Sequence, residues 1–176
     1  GLDVLFVTNH NTIDGYRQIL EYKKNHQKFD ALNVYPAEEV TTDNESHVLV
    51  YGIDHSIKSG LSLHEVLDEA KKQNAVTIAP HPFSLLDALR EDSVYCDLVE
   101  AFNSSNVDVY SNLRAKKFAK EKSLHVVAGS DSHVQSTIGR STNLIYSENK
   151  LDSIIDAMKH HKITIENTGY VQPKEA

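Results

Sequence analysis

An α/β fold built on a largely parallel sheet is predicted by three observations. Apolar runs of strand length recur along the chain, segments of helical period separate many of them, and several runs are apolar on both faces, as interior parallel strands require. At 176 residues the chain fits one domain, 1–176, large enough to bury a substantial core.

Taken in order, the first run is L-D-V-L-F-V-T, followed by a helical stripe of Ile13, Tyr16, Ile19, Leu20 and Lys23. The strand A-L-N-V-Y-P comes next. From Ala37 to Gly52 the rhythm breaks, and two short runs around the polar turn D-N-E-S predict an antiparallel hairpin ending in H-V-L-V-Y-G-I. Ser62 and Glu65 form an S-x-x-E capping box after Gly60, which starts a helix on the stripe Leu63, Val66, Leu67 and Ala70. The strands A-V-T-I-A-P and D-L-V-E-A-F-N follow, then a helix from Val107 to Lys122. After H-V-V-A-G and N-L-I-Y, a helix on Leu151, Ile154, Ile155 and Met158 leads to the last run, I-T-I-E.

Composition narrows the function. Lys and Arg number 18 against 25 Asp and Glu, a net charge of -7, from which extended duplex nucleic acid binding is not expected. Cys96 is alone, so neither a disulfide framework nor a thiolate metal motif is available, and a cytoplasmic location is expected. No apolar stretch is long enough to cross a bilayer, so no membrane partner is expected. The G-x-S-x-G elbow, the G-x-x-x-x-G-K-[ST] phosphate loop and the G-x-G-x-x-G turn are all missing from the sequence.

In parallel α/β folds, functional groups gather where strands end. Asn9 and His10 follow L-F-V-T; Glu38 and Glu39 follow N-V-Y-P; His81 follows T-I-A-P; Asn103 ends V-E-A-F-N; Asp131 and His133 follow V-V-A-G-S. His10, Glu39, His81, Asp131 and His133 therefore converge if the strands are parallel. Imidazole and carboxylate without thiolate is the donor set of a catalytic zinc, manganese or iron site. Glu38 and Glu39, adjacent on an extended chain, point to opposite faces and do not form an acid/base pair. His26, His64, His160 and His161 fall on polar helix faces or ends, His125 opens a strand at the opposite rim, and His55 follows the hairpin.

These residues resemble the polymerase and histidinol phosphatase (PHP) family of metal-dependent phosphoesterases. T-N-H-N-T-I-D-G-Y resembles the family's second motif, P-A-E-E-V-T-T with S-H-V-L-V-Y-G-I its glutamate and following histidine, I-A-P-H-P-F its A-H-P motif, and G-S-D-S-H its D-x-H. The resemblance implies a distorted seven-stranded β/α (TIM-like) barrel with up to three divalent ions (Mn, Zn or Fe) at the carboxyl ends of its strands. It implies that Glu39 bridges two metals, that His47 and His81 complete the second, that Asp131 binds the first, and that His10 and His133 serve the third. The set Glu39, His47 and His81 is the best supported site on this reading.

Two departures accompany it. Family members begin with a strand bearing H-x-H, and this chain starts after that point, so a barrel lacking its first strand is expected, with two sheet edges exposed. A chain truncated at its front is the simplest explanation. The second departure is Asn9, where the family has Asp; an amide cannot supply the charge that orients a ligating imidazole.

The expected activity is hydrolysis of a phosphate ester by metal-activated hydroxide, on a small phosphomonoester, nucleotide or short oligonucleotide. Asp131 is the expected catalytic residue, ligating metal and handling the nucleophile's proton. Arg140, in S-T-I-G-R-S-T, and Asn103 are the expected substrate contacts. Amide-bond cleavage on the same metals is the rival chemistry. The alternative from another class is a catalytically impaired metal-binding or interaction module.

Overall fold

The computed structural model describes residues 1–171 of the chain. Its main sheet has six strands in the order β1 (Val4–Val7), β2 (Asn33–Thr41), β3 (His47–Tyr51), β4 (Val76–Ala79), β5 (Leu98–Asn103) and β6 (Val126–Gly129). Strand β1 pairs parallel with β2, and β4, β5 and β6 pair parallel in succession. The hairpin reverses β3, which pairs antiparallel with both β2 and β4. The sheet is therefore mixed, and the expected parallel sheet is corrected in this respect. The runs N-V-Y-P and E-E-V-T belong to one nine-residue strand, because Pro36 still serves as an acceptor: Gly52 N donates to its carbonyl.

The seven-stranded barrel, expected without its first strand, is found in part: six strands form an open sheet with β1 and β6 as its edges. Strands β7 (Thr142–Ile145) and β8 (Ile163–Asn167) form a separate antiparallel pair. The reason lies at Asn143. Its side-chain amide takes the place of a neighbouring strand's backbone, accepting from Ala128 N at 2.9 Å and donating to Ala128 O at 2.8 Å. One backbone donor and acceptor of β6 are thereby satisfied without continuing the ladder. Strands β1 and β6 end the sheet, and they line opposite sides of one cavity, Leu5, Phe6 and Val7 on one side and Gly129 and Ser130 on the other. The sheet curls into a half-barrel.

Helices α1 (Asp14–Lys24), α2 (Leu63–Lys72), α3 (Val109–Lys122) and α4 (Leu151–Lys159) fall where helical period predicts them. The capping box at α2 is present in both directions: Ser62 Oγ accepts from Glu65 N, and Glu65 Oε2 accepts from Ser62 N at 2.9 Å. One core cluster, with Val40, Val48, Val50, Val66 and Ala70, lies on the α2 side of the sheet. A second, with Leu49, Ile78, Leu98, Ile154 and Met158, packs α4 against the sheet, and a third joins Phe83 to Ala115 and Phe118 of α3. Across the hairpin Glu39 stands opposite Leu49 and Glu38 opposite Val50, so strand alternation sends the two carboxylates to different faces. Among the described residues no helix is long and apolar enough to cross a membrane.

Candidate metal centre

Glu39 is the centre of the rim. Its backbone joins the segment after β1 in a parallel bridge to His10, in which Glu39 N donates to Asn9 O and Asn11 N donates to Glu39 O. That bridge carries His10 past the end of β1 to the carboxylate. His47 opens β3 and His81 follows β4, so three imidazoles from three neighbouring segments surround one acid. His47 Nδ1 is 2.9 Å from Glu39 Oε1, His81 Nε2 is 3.3 Å from the same oxygen, and His10 Nε2 is 3.8 Å from Oε2.

Among the described residues, His10, Glu39 and His47 bring one potential ligand atom each to within 4.8 Å of the others. The resemblance groups Glu39 with His47 and His81 instead; the parallel bridge accounts for the place of His10. The donor set fits a divalent cation. His47 Nδ1 is buried and, although close to Glu39, makes no hydrogen bond, a costly arrangement unless a cation takes its lone pair. His81 Nδ1 lies 3.4 Å from the Ser84 hydroxyl, which leaves Nε2 on the Glu39 side free to ligate.

Charge tunes these groups. Burial alone would raise the Glu39 carboxyl, but His47 and His81, with the charge of His10 behind them, hold it down at about 2. Burial would lower His81, yet its contact with Glu39 and the charges of Glu100 and Asp131 raise it to about 9. Without metal, the carboxylate and imidazolium neutralise each other inside the rim.

Asp131 enters from the other side of the cleft. It lines the same two cavities, of about 410 and 320 Å³, as His10, Glu39, His81 and His133. Asn103 Nδ2 donates to Asp131 Oδ2 at 3.3 Å, and Ser105 Oγ donates to the Asp131 carbonyl at 2.7 Å. His133 is mostly exposed, with Nδ1 3.7 Å from Asp131 Oδ1. Both His81 and Asp131 adopt positive φ, 29° and 47°, backbone strain of a kind that persists where surrounding contacts enforce it.

Glu100 is the residue that sequence reasoning missed. It lies in the wholly buried strand β5, accepts from His81 N at 2.8 Å and from Asn103 Nδ2 at 3.0 Å, and so ties both halves of the rim to one carboxylate. Burial lifts it to about 7, against the pull of His81 and its hydrogen bonds. The glycine of G-S-D-S-H is explained here, because a Cβ on Gly129 would lie 1.7 Å from Glu100 Oε1. The available signal was an acid inside the apolar run D-L-V-E-A-F-N.

Asn103 lines the larger cavity but is 1% exposed; its Nδ2 donates to Glu100 and Asp131, and its Oδ1 accepts from Ser105 N. Arg140 lines neither cavity. The Asn9 amide packs on helix α1, occupying the space that a Cβ on Gly15 would need. His55 is held by Gln73, and His125 stacks on His161 at the opposite rim.

A family model described as PHP-associated matches residues 109–163. MJ1587 of Methanocaldococcus jannaschii, an uncharacterised protein, is 33% identical over 125 residues, covering 69% of this chain and 70% of that protein. MJ0417 of the same organism, also uncharacterised, is 28% identical over 161 residues, 85% of this chain and 61% of its own length. Three solved structures share the fold. PsfC of Pseudomonas syringae superposes with a TM-score of 0.72 at 17% identity, over 95% of this chain and 78% of that one. A Bifidobacterium adolescentis protein assigned as a metal-dependent phosphoesterase gives 0.60 at 14% identity, over 91% and 85%. Endonuclease Q, in complex with a 27-mer duplex carrying an abasic lesion at the active site, gives 0.61 at 15%, over 91% of this chain and 49% of that one.

The last structure corrects one expectation. Net acidity does not exclude duplex nucleic acid as a partner, since this fold occurs in a protein that grips one. Net charge sums a whole surface, whereas a duplex is held by the local potential it meets.

Proposed function

Because the chain belongs to the PHP family, whose relatives include metal-dependent phosphoesterases, we propose that it hydrolyses a phosphate ester at the rim around Glu39. The observation that carries this reading is a buried carboxylate ringed by three imidazoles, one of them with an orphaned buried nitrogen, facing Asp131 across a shared cleft.

Glu39, His10, His47 and His81 would hold divalent metal on one side, and Asp131 with His133 on the other. Bound there, the ions supply positive charge for the phosphoryl oxygens and water acidified enough to attack near neutral pH. The chain's own residues do the rest. Asp131, steadied by the Asn103 amide and by Ser105, would accept the proton of the attacking water. Glu100 keeps the His81 backbone and Asn103 in register. Water oxygen forms the new bond to phosphorus, the bond to the leaving oxygen breaks, and that oxygen ends protonated.

The test is phosphate release by the purified chain with Mn, Zn or Fe added, and after chelation. Release that chelation abolishes and Asp131→Asn severely slows, with metal still bound at Glu39, is the expected result. Metal-loaded protein that neither releases phosphate from any monoester or nucleotide nor cleaves a short oligonucleotide refutes the reading.

A further inference from the structure

Two apolar segments overhang the cleft. Leu85 and Leu86 are 71% and 74% exposed and Val107 is 88% exposed, yet all three line the same cavity of about 320 Å³ as His10, Glu39, His47, His81 and Asp131. Exposed apolar side chains scattered singly need no explanation, but a group converging on a polar, ligating site marks a binding surface.

Both segments are fastened to the rim. The first hangs from the imidazole side: Ser84 N donates to His81 O at 2.9 Å, Ser84 Oγ donates to Leu86 O, and His47 N donates to Asp87 O at 3.0 Å. The second hangs from the Asp131 side through Ser105, and Asn106 Nδ2 donates to Asn112 Oδ1 at 2.8 Å. Among the described residues no Lys or Arg lines either cavity, so a substrate phosphate finds its positive charge at the metals, and further anionic groups find none from side chains. What the lips offer the rest of the substrate is apolar surface with a few amide and hydroxyl groups.

We infer that Leu85, Leu86 and Val107 are specificity-determining residues, which bury the planar ring of a nucleoside attached to the phosphate cleaved at the rim. This rests on the phosphoesterase reading above. A sugar alone would leave the three side chains in water, whereas a base covers them and can still meet Asn106 and Ser84 at its edge.

The comparison that isolates the ring is 5′-AMP against ribose 5-phosphate, which share a primary leaving oxygen. The kcat/KM for 5′-AMP is expected to be at least about tenfold higher, the scale on which apolar pockets discriminate. The double variant Leu86→Ser with Val107→Ser should bring that ratio toward one. Calorimetric titration with adenosine, which carries no phosphate, should show binding to the metal-free chain that the double variant weakens and that ribose does not reproduce. Equal kcat/KM for the two esters, a ratio unchanged in the variant, or no adenosine binding would each overturn the inference. A short oligonucleotide with a terminal phosphate, cleaved in preference to 5′-AMP with the same dependence on the lips, would support the ring contact and identify a strand end as its source. Adenosine binding that depends on the lips, without phosphate release from any ester, would uphold the subsite and overturn the phosphoesterase reading instead.

Discussion

On one side of the rim, Glu39 and its three imidazoles come from the segments at the ends of four adjoining strands, β1 to β4, and the acid is almost fully buried. On the other, Asp131 and His133 hang from the loop after β6, an end strand, and His133 keeps most of its side chain in solvent. The first group is positioned by the backbone ladder itself. The second depends on side chains, chiefly Asn103 and Ser105, that reach across from β5 and the loop beyond it. Pre-organisation therefore differs across one cleft. The Glu39 side has its candidate ligands in place without a cation, and the Asp131 side gains most of its order from neighbours.

The largest effect should follow from breaking the first group. Glu39→Gln keeps the size of the side chain but removes the charge that all three imidazoles face, and metal affinity should fall well beyond the roughly 10–100-fold that loss of a supporting partner costs. His81→Ala should abolish metal retention at the same place while leaving the fold largely intact. Metal content after dialysis, with circular dichroism to verify folding, measures both. Unchanged stoichiometry in either variant would mean that the Glu39 side is not the anchoring half.

Next in size is the acid that joins the halves. An unfolded Glu titrates near 4.3, whereas buried Glu100 titrates at about 7. Between those values the folded, metal-free chain holds a proton that the unfolded chain has lost, so the Glu100 contribution to stability falls as pH rises from about 4 to 7 and stays low above. Glu100→Gln cannot ionise. Relative to the parent, its melting temperature should therefore be more favourable at pH 8 than at pH 4, by on the order of 3 kcal/mol in stability. An equal difference at both pH values would show that the carboxylate is fully compensated by His81 N and Asn103.

Asn103→Ala sharpens the contrast further. It removes the amide that reaches Asp131, so metal affinity on the Asp131 side should drop by roughly 10–100-fold while the Glu39 side keeps its ion. Two-site binding isotherms would resolve this, and a loss confined to the Glu39 side would reverse the comparison.

Both sides of this rim were partly legible in the sequence, for a physical reason. His81 and Asp131 each follow a run whose apolar character already defines a strand, so residue type and strand end together locate them, whereas Glu39 follows N-V-Y-P but lies inside β2, near its carboxyl end. Strand direction is a tertiary property, and nothing in H-V-L-V-Y states that β3 runs against its neighbours on both sides. N-L-I-Y has the composition of a barrel strand, but Asn143 spends its amide on Ala128 and β7 pairs only with β8. Glu100 was hidden because an acid within an apolar run has no periodic signature; only its contacts with His81 and Asn103 give it a role.

His133 supplies the smallest and most discriminating expectation. Its ring is mostly in water, and its Nδ1 lies 3.1 Å from the backbone carbonyl and 3.7 Å from the carboxylate of Asp131. Removing an exposed imidazole with such contacts should change the stability of the metal-free chain by no more than about 0.5 kcal/mol. It should also leave an ion at Glu39 untouched, because the polar contacts of His133 among the described residues are with Asp131 and not with Glu39 or its three imidazoles. If the two sides are independently organised, His133→Ala lowers metal content only on the Asp131 side and leaves denaturant midpoints where they were. A shift in the midpoint, or loss of the Glu39-side ion, would mean that Glu100 and Asn103 couple the halves strongly enough for the exposed side to order the buried one.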